Sequence, residues 1–352
     1  SSTAMAKKAR KNIVVIGGGT GTFTVLTGLK KYPFNLTAIV TMTDSGGSTG
    51  ILRDELGVLP PGDVARCLVA LSSSDKLMRT LMDYRFDNGN LKGHRFGNLL
   101  LSALEKITGS FDSAVEKASD ILRINGHVIP STLDKVHLIA QVGKDIVRGE
   151  ETIQTTKLNG SLEHIWLEPA ARANPKALAA IRAADAIIIG PGGFYTSLVA
   201  NLLVRDIPEE IRKSAAKKIY VCNLMTKLEH TEGYSVADYT AGIEKYLGGP
   251  LDIVIYNNKM PSEKLLKQYA REGDTITPWD DVPQGRELLG GNLLARSATK
   301  FLKIGTPSTE ASLVRHDSNQ LAALIARLMH VRKRRESRGR ERRKTGGATA
   351  PR

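Results

Sequence analysis

Apolar runs of strand length alternate with segments in which apolar residues recur every three or four positions through most of the sequence. The first unit predicts a buried strand over residues 12–16, a tight loop over 17–22, a helix over 23–30 and a second strand over 36–41. This alternation is typical of a parallel sheet with helices on both faces. We therefore expect an α/β fold, in which ligands bind at the carboxyl ends of the strands.

The rest of the chain adds further predicted strands and one helical region. Short apolar runs that end in polar or glycine-rich residues predict strands at 135–142, 186–189, 219–223 and 251–257. Residues 53–111 are mostly of helical period, which predicts helices added to the sheet, and a last helix is predicted over 318–329. Alternating segments at 152–156 and 162–167 favour an antiparallel edge or a small subdomain.

Length and composition limit the class of protein. With 352 residues, of which 41% are hydrophobic, we expect one α/β domain over residues 12–330, with a helical insertion at about 53–130. No segment approaches 18 continuous apolar residues and no signal-peptide pattern precedes the first strand, so a cytoplasmic protein without a transmembrane segment is expected. Cys67 and Cys222 are too few for a disulfide framework and are predicted to be buried.

The positive charge is concentrated at the two ends of the chain. Residues 332–352 hold ten Lys or Arg and two Glu, and the extension 1–11 adds four positive charges, which leaves +2 of the total +14 for residues 12–331. A nearly neutral body argues against a nucleic-acid-binding domain. The basic tail over 331–352 lacks apolar residues and is predicted to be disordered, either as an attachment to anionic surfaces such as membrane or RNA or as a solubilising tail.

A glycine-rich loop with the sequence GGGTGT follows the first predicted strand and opens a helix. Backbone N–H groups at such a helix start can bind phosphate, and glycine lets a ligand approach closely. The dinucleotide-binding fingerprint needs glycine where Thr22 stands, and the lysine of a P-loop is absent, so a tight connection is the alternative. The candidate ligand-binding residues of this loop are Gly18, Gly19, Thr20, Gly21 and Thr22.

The second strand leads into the polar segment TDSGGSTG, which supplies a further set of candidates. Asp44 is suited to a ribose hydroxyl or a divalent cation, and Arg53 adds positive charge. A flexible surface turn is the alternative interpretation. Asp63, in the sequence PPGD, is either the N-cap of the following helix or a second carboxylate that joins Asp44 on a metal. The remaining candidates here are Ser45, Gly46, Gly47 and Ser48.

A second glycine cluster, GPGGFYTS, again joins a predicted strand to a helix. Two such loops in one sheet favour a nucleotide-containing ligand that is bound through its phosphates. Asn98 lies at a predicted helix start with His94 and Arg95. Asn223 and Thr226 follow a later strand, where they either read a base or sugar edge or only terminate the strand. The sequence contains neither a Ser/His/Asp order nor an HExxH motif, so it indicates no protein nucleophile. The candidates from these segments are Asn98, Gly190, Gly192, Gly193, Thr196, Ser197, Asn223 and Thr226.

Taken in order, the segments GGGTG, TDSGGSTG, PPGD, GHRFGNLLL, GPGG, CNLMT and RHD resemble the bacterial gluconeogenesis factor family over residues 13–328. That family is related to 2-phospholactate transferase. The resemblance implies a Rossmann-like, mostly parallel sheet with helices on both faces and an added helical region. It also implies a cytoplasmic factor that binds a UDP-sugar such as UDP-N-acetylglucosamine and is needed for cell shape, wall synthesis and growth on gluconeogenic carbon sources.

The resemblance also assigns roles to individual residues. In the transferase two aspartates hold Mg²⁺, and Asp44 and Asp63 match them, although Ser45 stands where the transferase has a second adjacent aspartate. Tyr269 and Arg315 match residues implicated in UDP-sugar binding. Cell-wall synthesis proteins and a second copy of the chain are the expected partners.

Three functional hypotheses follow from these patterns. The first is a UDP-sugar-binding regulator, which the missing nucleophile favours. The second is a Mg²⁺-dependent transferase that acts on a nucleoside diphosphate-linked substrate, with Asp44 and Asp63 on the metal and backbone donors on the phosphoryl group. The third is an NAD(P)-dependent oxidoreductase, which rests only on the first strand–helix–strand unit.

Overall fold

A computed structural model describes residues 9–158, 160–270, 273–295 and 315–331 of the chain. Within these residues ten strands form, each of four to seven residues. In chain order they are β1 (Asn12–Gly17), β2 (Asn35–Val40), β3 (His127–Pro130), β4 (His137–Val142), β5 (Asp145–Arg148), β6 (Leu162–Glu168), β7 (Ala186–Ile189), β8 (Lys217–Val221), β9 (Ile253–Asn257) and β10 (Glu287–Gly291).

The helices of the described residues fill most of the connections between these strands. In chain order they are α1 (Thr20–Leu29), α2 (Gly47–Leu56), α3 (Gly62–Leu71), α4 (Lys76–Asp83), α5 (Phe96–Thr108), α6 (Phe111–Leu122), α7 (Glu150–Thr155), α8 (Pro175–Arg182), α9 (Ala200–Leu202), α10 (Ile207–Lys213), α11 (Val236–Leu247), α12 (Glu263–Ala270) and α13 (Ser318–Leu328). A π-helix, Phe194–Val199, leads into α9. Among the described helices, none is both long enough and apolar enough to cross a membrane.

The main sheet has seven parallel strands in the order β10-β9-β8-β7-β1-β2-β3. Strand β1 lies between β2 and β7, with Ile13 opposite Leu36 on one side and Ala186 on the other. The chain builds the sheet outward from β1 in both directions, so the strand order reverses between β1 and β7. In an open α/β sheet a ligand binds outside the carboxyl ends of the strands at such a switch point.

The core lies on both faces of the sheet, because every second side chain of a strand points to the same face. Ile13 and Val15 of β1 pack with α1, α3, α5, α6 and α13 on one face. Val14 and Ile16 pack with α8, α10, α11 and the smaller sheet on the other face. All four side chains are at most 2% exposed. The predicted Rossmann-like α/β fold is therefore confirmed, with helices α2 to α6 forming the added helical region before β3.

Two predicted strands differ from the structure. The segment predicted over 135–142 is β4, but it belongs to a separate antiparallel sheet of order β5-β4-β6, because an apolar run does not specify its pairing partner. The segment predicted as a strand over 152–156 lies largely in helix α7, which begins after Gly149, at a φ of 95°, and carries Glu150 and Glu151 in its first turn. Acidic residues at a helix start stabilise it through the helix dipole. The strand predicted over 162–167 is β6.

The C-terminal helix α13 packs against α1, the helix that begins at the first glycine loop. A methyl group on Gly28 of α1 would collide with the carbonyl oxygen of Ser318, so glycine permits this close approach. The predicted helix over 318–329 is thus α13. The basic tail predicted to be disordered, residues 332–352, and most of the N-terminal extension lie outside the described residues.

Candidate functional site

The two glycine-rich loops leave the neighbouring strands β1 and β7 and pack against each other at the switch point. The space between them is so small that a methyl group on Gly21 would overlap the carbonyl oxygen of Pro191. A methyl group on Gly18 would lie 2.6 Å from Ser197 Oγ and 3.0 Å from Asp63 Oδ2. These glycines allow the backbone of the loops and the side chains of the second loop and α3 to meet in one crevice.

Buried Asn201, which the sequence analysis does not single out, ties these two loops together. Its amide Nδ2 donates to the carbonyl oxygen of Gly17 at 3.0 Å and to that of Ser197 at 2.8 Å. Asn223, one of the predicted candidates, plays a similar part, because its Nδ2 donates to the carbonyl oxygen of Gly192 at 2.8 Å. Both amides therefore fix the positions of loop carbonyls, which holds the loop N–H groups in place.

Three helices begin in this crevice with their N-termini uncapped by side chains. Helix α1 begins after Gly19, α2 after Gly46 and the π-helix after Gly193. None of the three has a side-chain hydrogen bond at its N-cap or an acidic residue in its first turn. The first N–H groups of a helix have no partner inside it, and the helix dipole places partial positive charge there. The crevice is therefore suited to an anion such as phosphate.

Two carboxylates lie beside these helix starts. Asp44 follows β2, and its Oδ1 accepts a hydrogen bond from Gly46 N at 3.1 Å. Asp63 lies in the first turn of α3, where its carboxylate accepts from the N–H of Gly19. A methyl group on Gly62 would be 2.8 Å from Asp44 Oδ2, so this glycine lets α3 approach the first carboxylate. Helix α3 follows Pro61 and has no side-chain cap, so the alternative in which Asp63 is its N-cap is wrong.

Burial and mutual repulsion make the charged form of this pair costly. Burial, followed by the charge of Asp44, raises the pKa of Asp63 to about 7, and burial also raises the pKa of Asp44. Two carboxylates in this state attract a proton or a cation. Mg²⁺ in proteins often binds one or two carboxylates together with water and phosphate oxygens of a substrate, so the donor set fits this ion. Among the described residues no group of three or more His, Cys, Asp or Glu side chains forms a metal site.

A buried polar cluster supports the Asp44 loop from the helical region. Ser48 Oγ lies 3.1 Å from His94 Nδ1 and accepts from Asn98 Nδ2 at 3.2 Å. The same Asn98 amide lies 3.5 Å from Thr49 Oγ1, and the Thr49 side chain bonds the carboxylate of Asp44. Asn98 is only 5% exposed, and its Oδ1 has no hydrogen-bond partner among the described residues. This cluster connects the start of α5 to the carboxylate pair.

Arg53 and Ser45 use their side chains to hold the loop. The guanidinium of Arg53 donates to the carbonyl oxygens of Asp44 and Val136, each at 2.8 Å. Ser45 Oγ accepts from Glu151 N at 3.1 Å. The segment after β2 is consequently helical from Gly47 and fixed on both sides, and the alternative of a flexible surface turn is wrong.

The remaining candidates are the threonines Thr20, Thr22, Thr196 and Thr226, which differ in their exposure. Thr22 and Thr196 are buried, and Thr20 is exposed at the start of α1. Thr226 is also buried, and its Oγ1 lies 2.8 Å from Thr275 Oγ1. The structure thus brings the candidates that follow β1, β2 and β7 together with Asp63 and Asn98. These residues are Gly18, Gly19, Thr20, Gly21, Asp44, Gly46, Gly47, Ser48, Asp63, Asn98, Gly190, Gly192, Gly193, Thr196 and Ser197.

The two residues taken from the C-terminal part of the resemblance are only partly described. The side chain of Tyr269 lies outside the described residues, although its backbone is in α12. Arg315 precedes α13, and its carbonyl oxygen accepts from Ala295 N at 2.8 Å. Next to it, His316 is buried with Nε2 3.1 Å from the carbonyl oxygen of Cys222, which anchors this segment to the end of β8.

Two arginines of the helical region also face the carboxylates. Arg66 of α3 donates from Nη1 to Thr20 Oγ1 at 2.9 Å, and its charge lowers the pKa of both Asp44 and Asp63. Arg95 is the N-cap residue of α5 and its charge also lowers the pKa of Asp63. Arg66 is not among the candidates predicted from the sequence. Its position three residues after Asp63 on a helix is a signal that places both side chains on one face.

The fold and the position of this crevice define a Rossmann-like α/β protein with a candidate anion site at the switch point. The family model described as 2-phospho-L-lactate transferase CofD matches residues 13–294. The chain therefore belongs to the CofD family, which confirms the resemblance seen in its motifs.

Similar proteins carry the name gluconeogenesis factor. The protein of that name from Bacillus subtilis is 36% identical over 324 residues, which cover 91% of this chain and 98% of the relative. The one from Halalkalibacterium halodurans is 42% identical over 267 residues, or 75% of this chain and 82% of the relative. A crystal structure from Bacillus halodurans, described as a member of the UPF0052 family, superposes with a TM-score of 0.81 at 35% identity. That superposition covers 90% of this chain and 99% of the other.

Proposed function

We propose that the protein is a cytoplasmic UDP-sugar-binding factor, with UDP-N-acetylglucosamine as the expected ligand. The bound state would act on cell-wall synthesis proteins and so support cell shape and growth on gluconeogenic carbon sources. The names of the relatives from Bacillus subtilis and Halalkalibacterium halodurans support the connection with gluconeogenesis. The candidate anion site supports a ligand that is recognised through its phosphates.

The observation that favours a diphosphate is the meeting of three uncapped helix starts, those of α1, α2 and the π-helix, at one switch point. The segment before α2 contacts the π-helix directly, because Thr43 Oγ1 donates to the carbonyl oxygen of Thr196 at 3.3 Å. A diphosphate presents several negatively charged oxygens within a few ångströms of one another. Backbone N–H groups that come from three separate helices match such a group better than a single carboxylate.

A charge-specific substitution at a helix start tests this proposal. A methyl group on Gly46 would lie at least 3.6 Å from all neighbouring atoms, so side chains are accommodated there. Gly46→Asp is expected to add a negative charge at the start of α2, beside the carboxylates of Asp44 and Glu151, and to weaken UDP-N-acetylglucosamine binding about tenfold. Gly46→Asn changes the same position without adding the charge and is the matched control.

Calorimetric and thermal-shift titrations without Mg²⁺ provide the measurement, because a ligand that binds only the folded state raises the melting temperature. UDP-N-acetylglucosamine, GDP and NAD are titrated separately into the wild-type protein. Selective binding of the UDP-sugar is the expected result. Preference for NAD would overturn the proposal in favour of an oxidoreductase, and equal affinity of the two Gly46 variants would remove the role of the α2 start.

The carboxylate pair favours a second candidate function, a Mg²⁺-dependent transferase that acts on a nucleoside diphosphate-linked substrate. Asp44 and Asp63 would hold the ion, which supplies charge stabilisation to a phosphoryl group when bound. Magnesium is expected to raise the affinity for the diphosphate ligand, and Asp44→Asn is expected to abolish that increase. Asp54→Asn on the exposed side of α2 removes the same charge and serves as control.

Product formation distinguishes the two functions. Tight UDP-sugar binding without any product over hours supports the binding factor. Turnover of a nucleoside diphosphate-linked substrate that disappears in Asp44→Asn supports the transferase instead.

We also propose two kinds of partner, a second copy of the chain and anionic surfaces. A second copy of the chain is expected in solution, and sedimentation of the purified protein measures this. The basic residues 332–352 are expected to bind anionic vesicles or RNA with an affinity that falls as salt rises. A chain that ends at residue 331 and keeps the same salt-sensitive binding would contradict this role of the tail.

A further inference from the structure

The helical side of the crevice holds an arginine, Arg66, whose guanidinium makes one hydrogen bond within the described residues. Arg66 lies one turn after Asp63 on α3 and donates through Nη1 to Thr20 Oγ1, at the exposed start of α1. Its Cδ would lie 2.9 Å from a methyl group on Gly19, so the side chain runs along the first glycine loop. A guanidinium carries five N–H donors in a planar fork. The contact with Thr20 therefore places a cation directly beside the loop and leaves other donors for a ligand.

A second arginine of the same crevice, Arg95, lies in an unfavourable environment for a cation. The side chain of Arg95 is 13% exposed, and its nearest described ion-pair partner, Asp83 Oδ1, is 3.8 Å from Nη1. Its Nε is buried without a hydrogen-bond partner among the described residues. Burial, and next the positive charge of Arg66, lower the pKa of Arg95 to about 10. Burying a cation with an unpaired donor is unfavourable unless an anion compensates for it.

The carboxylates nearby do not compensate for these two cations. Within the described residues no ion pair of 4.0 Å or less joins Arg66 or Arg95 to Asp44 or Asp63. The longer-range attraction of Asp83 and Asp44 for Arg95 does not offset its burial, so the pKa of Arg95 stays lowered. Two like charges therefore face the same crevice, and Asp63 attracts both of them only from beyond ion-pair distance. The group that relieves this arrangement must be negatively charged, must present several acceptor oxygens and must reach between α3 and the start of α5.

We propose that Arg66 and Arg95 form an anion clamp that binds the diphosphate of the ligand from the helical side of the crevice. This inference deepens the proposed function, on which it rests for the identity of the nucleotide. The glycine-rich loops after β1 and β7 contact the phosphates from the sheet side, and the two guanidinium groups neutralise their charge from the helical side. Arginine suits this task because its fork donates two parallel hydrogen bonds to phosphate oxygens.

Charge-removing variants and two probes test the clamp. Arg66→Gln, Arg95→Gln and the double variant are titrated with inorganic pyrophosphate and with UDP-N-acetylglucosamine by calorimetry. Each single variant is expected to weaken both ligands about 10-fold to 100-fold, which is the usual range for loss of a charge-assisted hydrogen bond. Arg327→Gln removes one positive charge from the exposed end of α13 and is expected to leave both affinities unchanged.

Conservative variants separate the clamp from a structural role. Arg66→Lys and Arg95→Lys keep the positive charge but lose the planar guanidinium, so their affinity for both ligands should fall less than that of the Gln variants. The salt dependence of binding should be reduced only in the Gln variants, which have lost the charge. Circular dichroism and melting temperature report folding. If Arg95→Gln fails to fold, Arg66→Gln and Arg95→Lys decide the outcome.

The two probes distinguish the failure of the clamp from the failure of the proposed function. If the wild-type protein binds UDP-N-acetylglucosamine and the arginine variants bind it equally well, the clamp is overturned and the proposed function stands. If the wild-type protein binds pyrophosphate but not the UDP-sugar, and the variants lose pyrophosphate, the clamp is supported and the proposed ligand is wrong. If the wild-type protein binds neither probe, both are overturned.

Discussion

The two sides of the crevice differ in the kind of group that they present. The sheet side consists of loops after β1 and β7, with glycines, hydroxyl groups and uncapped helix starts but no charged side chain. The helical side, from α2, α3 and α5, presents Asp63, Arg66, Arg95 and the buried cluster around Ser48. Backbone N–H groups can shape a site without net charge, whereas charged side chains determine which ion or ligand charge it accepts. We infer that shape is set by the sheet and charge preference by the helical region.

Helices elsewhere in the described residues show that the open starts at the crevice are not a general property of this chain. Side chains cap five of them: Asp75 caps α4, Ser110 caps α6, Asn174 caps α8, Ser235 caps α11 and Asp317 caps α13. Helices α7 and α10 lack a side-chain cap but carry two glutamates in the first turn. The starts of α1 and α2 have neither device. Asp63 and Asp44 accept from the N–H groups of Gly19 and Gly46, which precede these helices, so the N–H groups of the first turns are the ones we assign to a ligand.

The largest effect is expected where the two loops of the sheet side touch. Gly21→Ala places a methyl group on the carbonyl oxygen of Pro191, a backbone atom that cannot turn aside. We expect the free energy of unfolding to fall by about 4 kcal/mol, measured by urea denaturation. Gly46→Ala, at a position with open space, is the matched control and should change stability by less than about 0.5 kcal/mol. Equal stabilities of the two variants would show that the loops are not in contact.

The next effect concerns the charge of the helical side and its dependence on pH. The folded state raises the pKa of Asp63 to about 7, so the folded protein holds a proton that the unfolded chain releases near its ordinary pKa of 3.8. Stability linked to this proton is present at low pH and is lost as the pH rises from about 4 to 7. Relative to Asp63→Asn, the wild-type protein should lose about 2 kcal/mol over this range.

Urea denaturation at several pH values, without divalent cations, measures this difference. His316 acts with the opposite sign, because burial lowers its pKa to about 4 and acid therefore destabilises the protein below pH 6.5. Since His316 is present in both proteins, it cancels in the comparison with Asp63→Asn. If the difference in free energy of unfolding between the wild-type protein and Asp63→Asn does not vary with pH, the folded state does not raise the pKa of Asp63. The contrast between the two sides of the crevice would then weaken.

A smaller effect is expected within the buried cluster of the helical side. Ser48→Ala removes the oxygen that contacts His94 and Asn98 and leaves those groups without this partner. The free energy of unfolding should fall by about 1.5 kcal/mol in urea denaturation. Ser102→Ala on α5 is the matched control, because Ser102 Oγ is buried without a partner among the described residues, and it should cost nothing. If both variants behave alike, the cluster contributes no stability.

The smallest effect is expected at Thr22, inside the sheet side. Its Oγ1 is buried and has no hydrogen-bond partner among the described residues, so Thr22→Val should raise the free energy of unfolding by about 0.5 kcal/mol. Thr43→Val is the control, since Thr43 Oγ1 bonds Thr41 Oγ1 and the carbonyl oxygen of Thr196, and it should cost about 1 kcal/mol. Denaturation curves give both values. Unchanged UDP-sugar affinity in Thr22→Val would confine this threonine to packing.

Local patterns predicted the elements that are buried on both faces of the sheet. Strand β7 was predicted with the observed bounds, and β1 and β2 within one residue at each end, because continuous apolar runs between glycine-rich loops have few other solutions. Strands β3 and β10 were not predicted, since HVIP and ELLGG are too short and too mixed to show a period. The pairing of β4 was predicted wrongly because an apolar run does not specify its partners, which are β5, separated from β4 by Gly143 and Lys144, and β6 further along the chain.

The sequence by itself determined the α/β fold, the two glycine loops and the family, because each depends on residues that are adjacent or regularly spaced. Only the tertiary structure decided that Asp63 meets Asp44, that Asn201 joins the loops and that Arg66 and Arg95 face one crevice. Asn201 and Gly17 are 184 positions apart, and strand order alone brings them within hydrogen-bond distance. Charge, burial and the pKa of a carboxylate depend on such distant neighbours, so the chemistry of the site emerges only when the sheet is assembled.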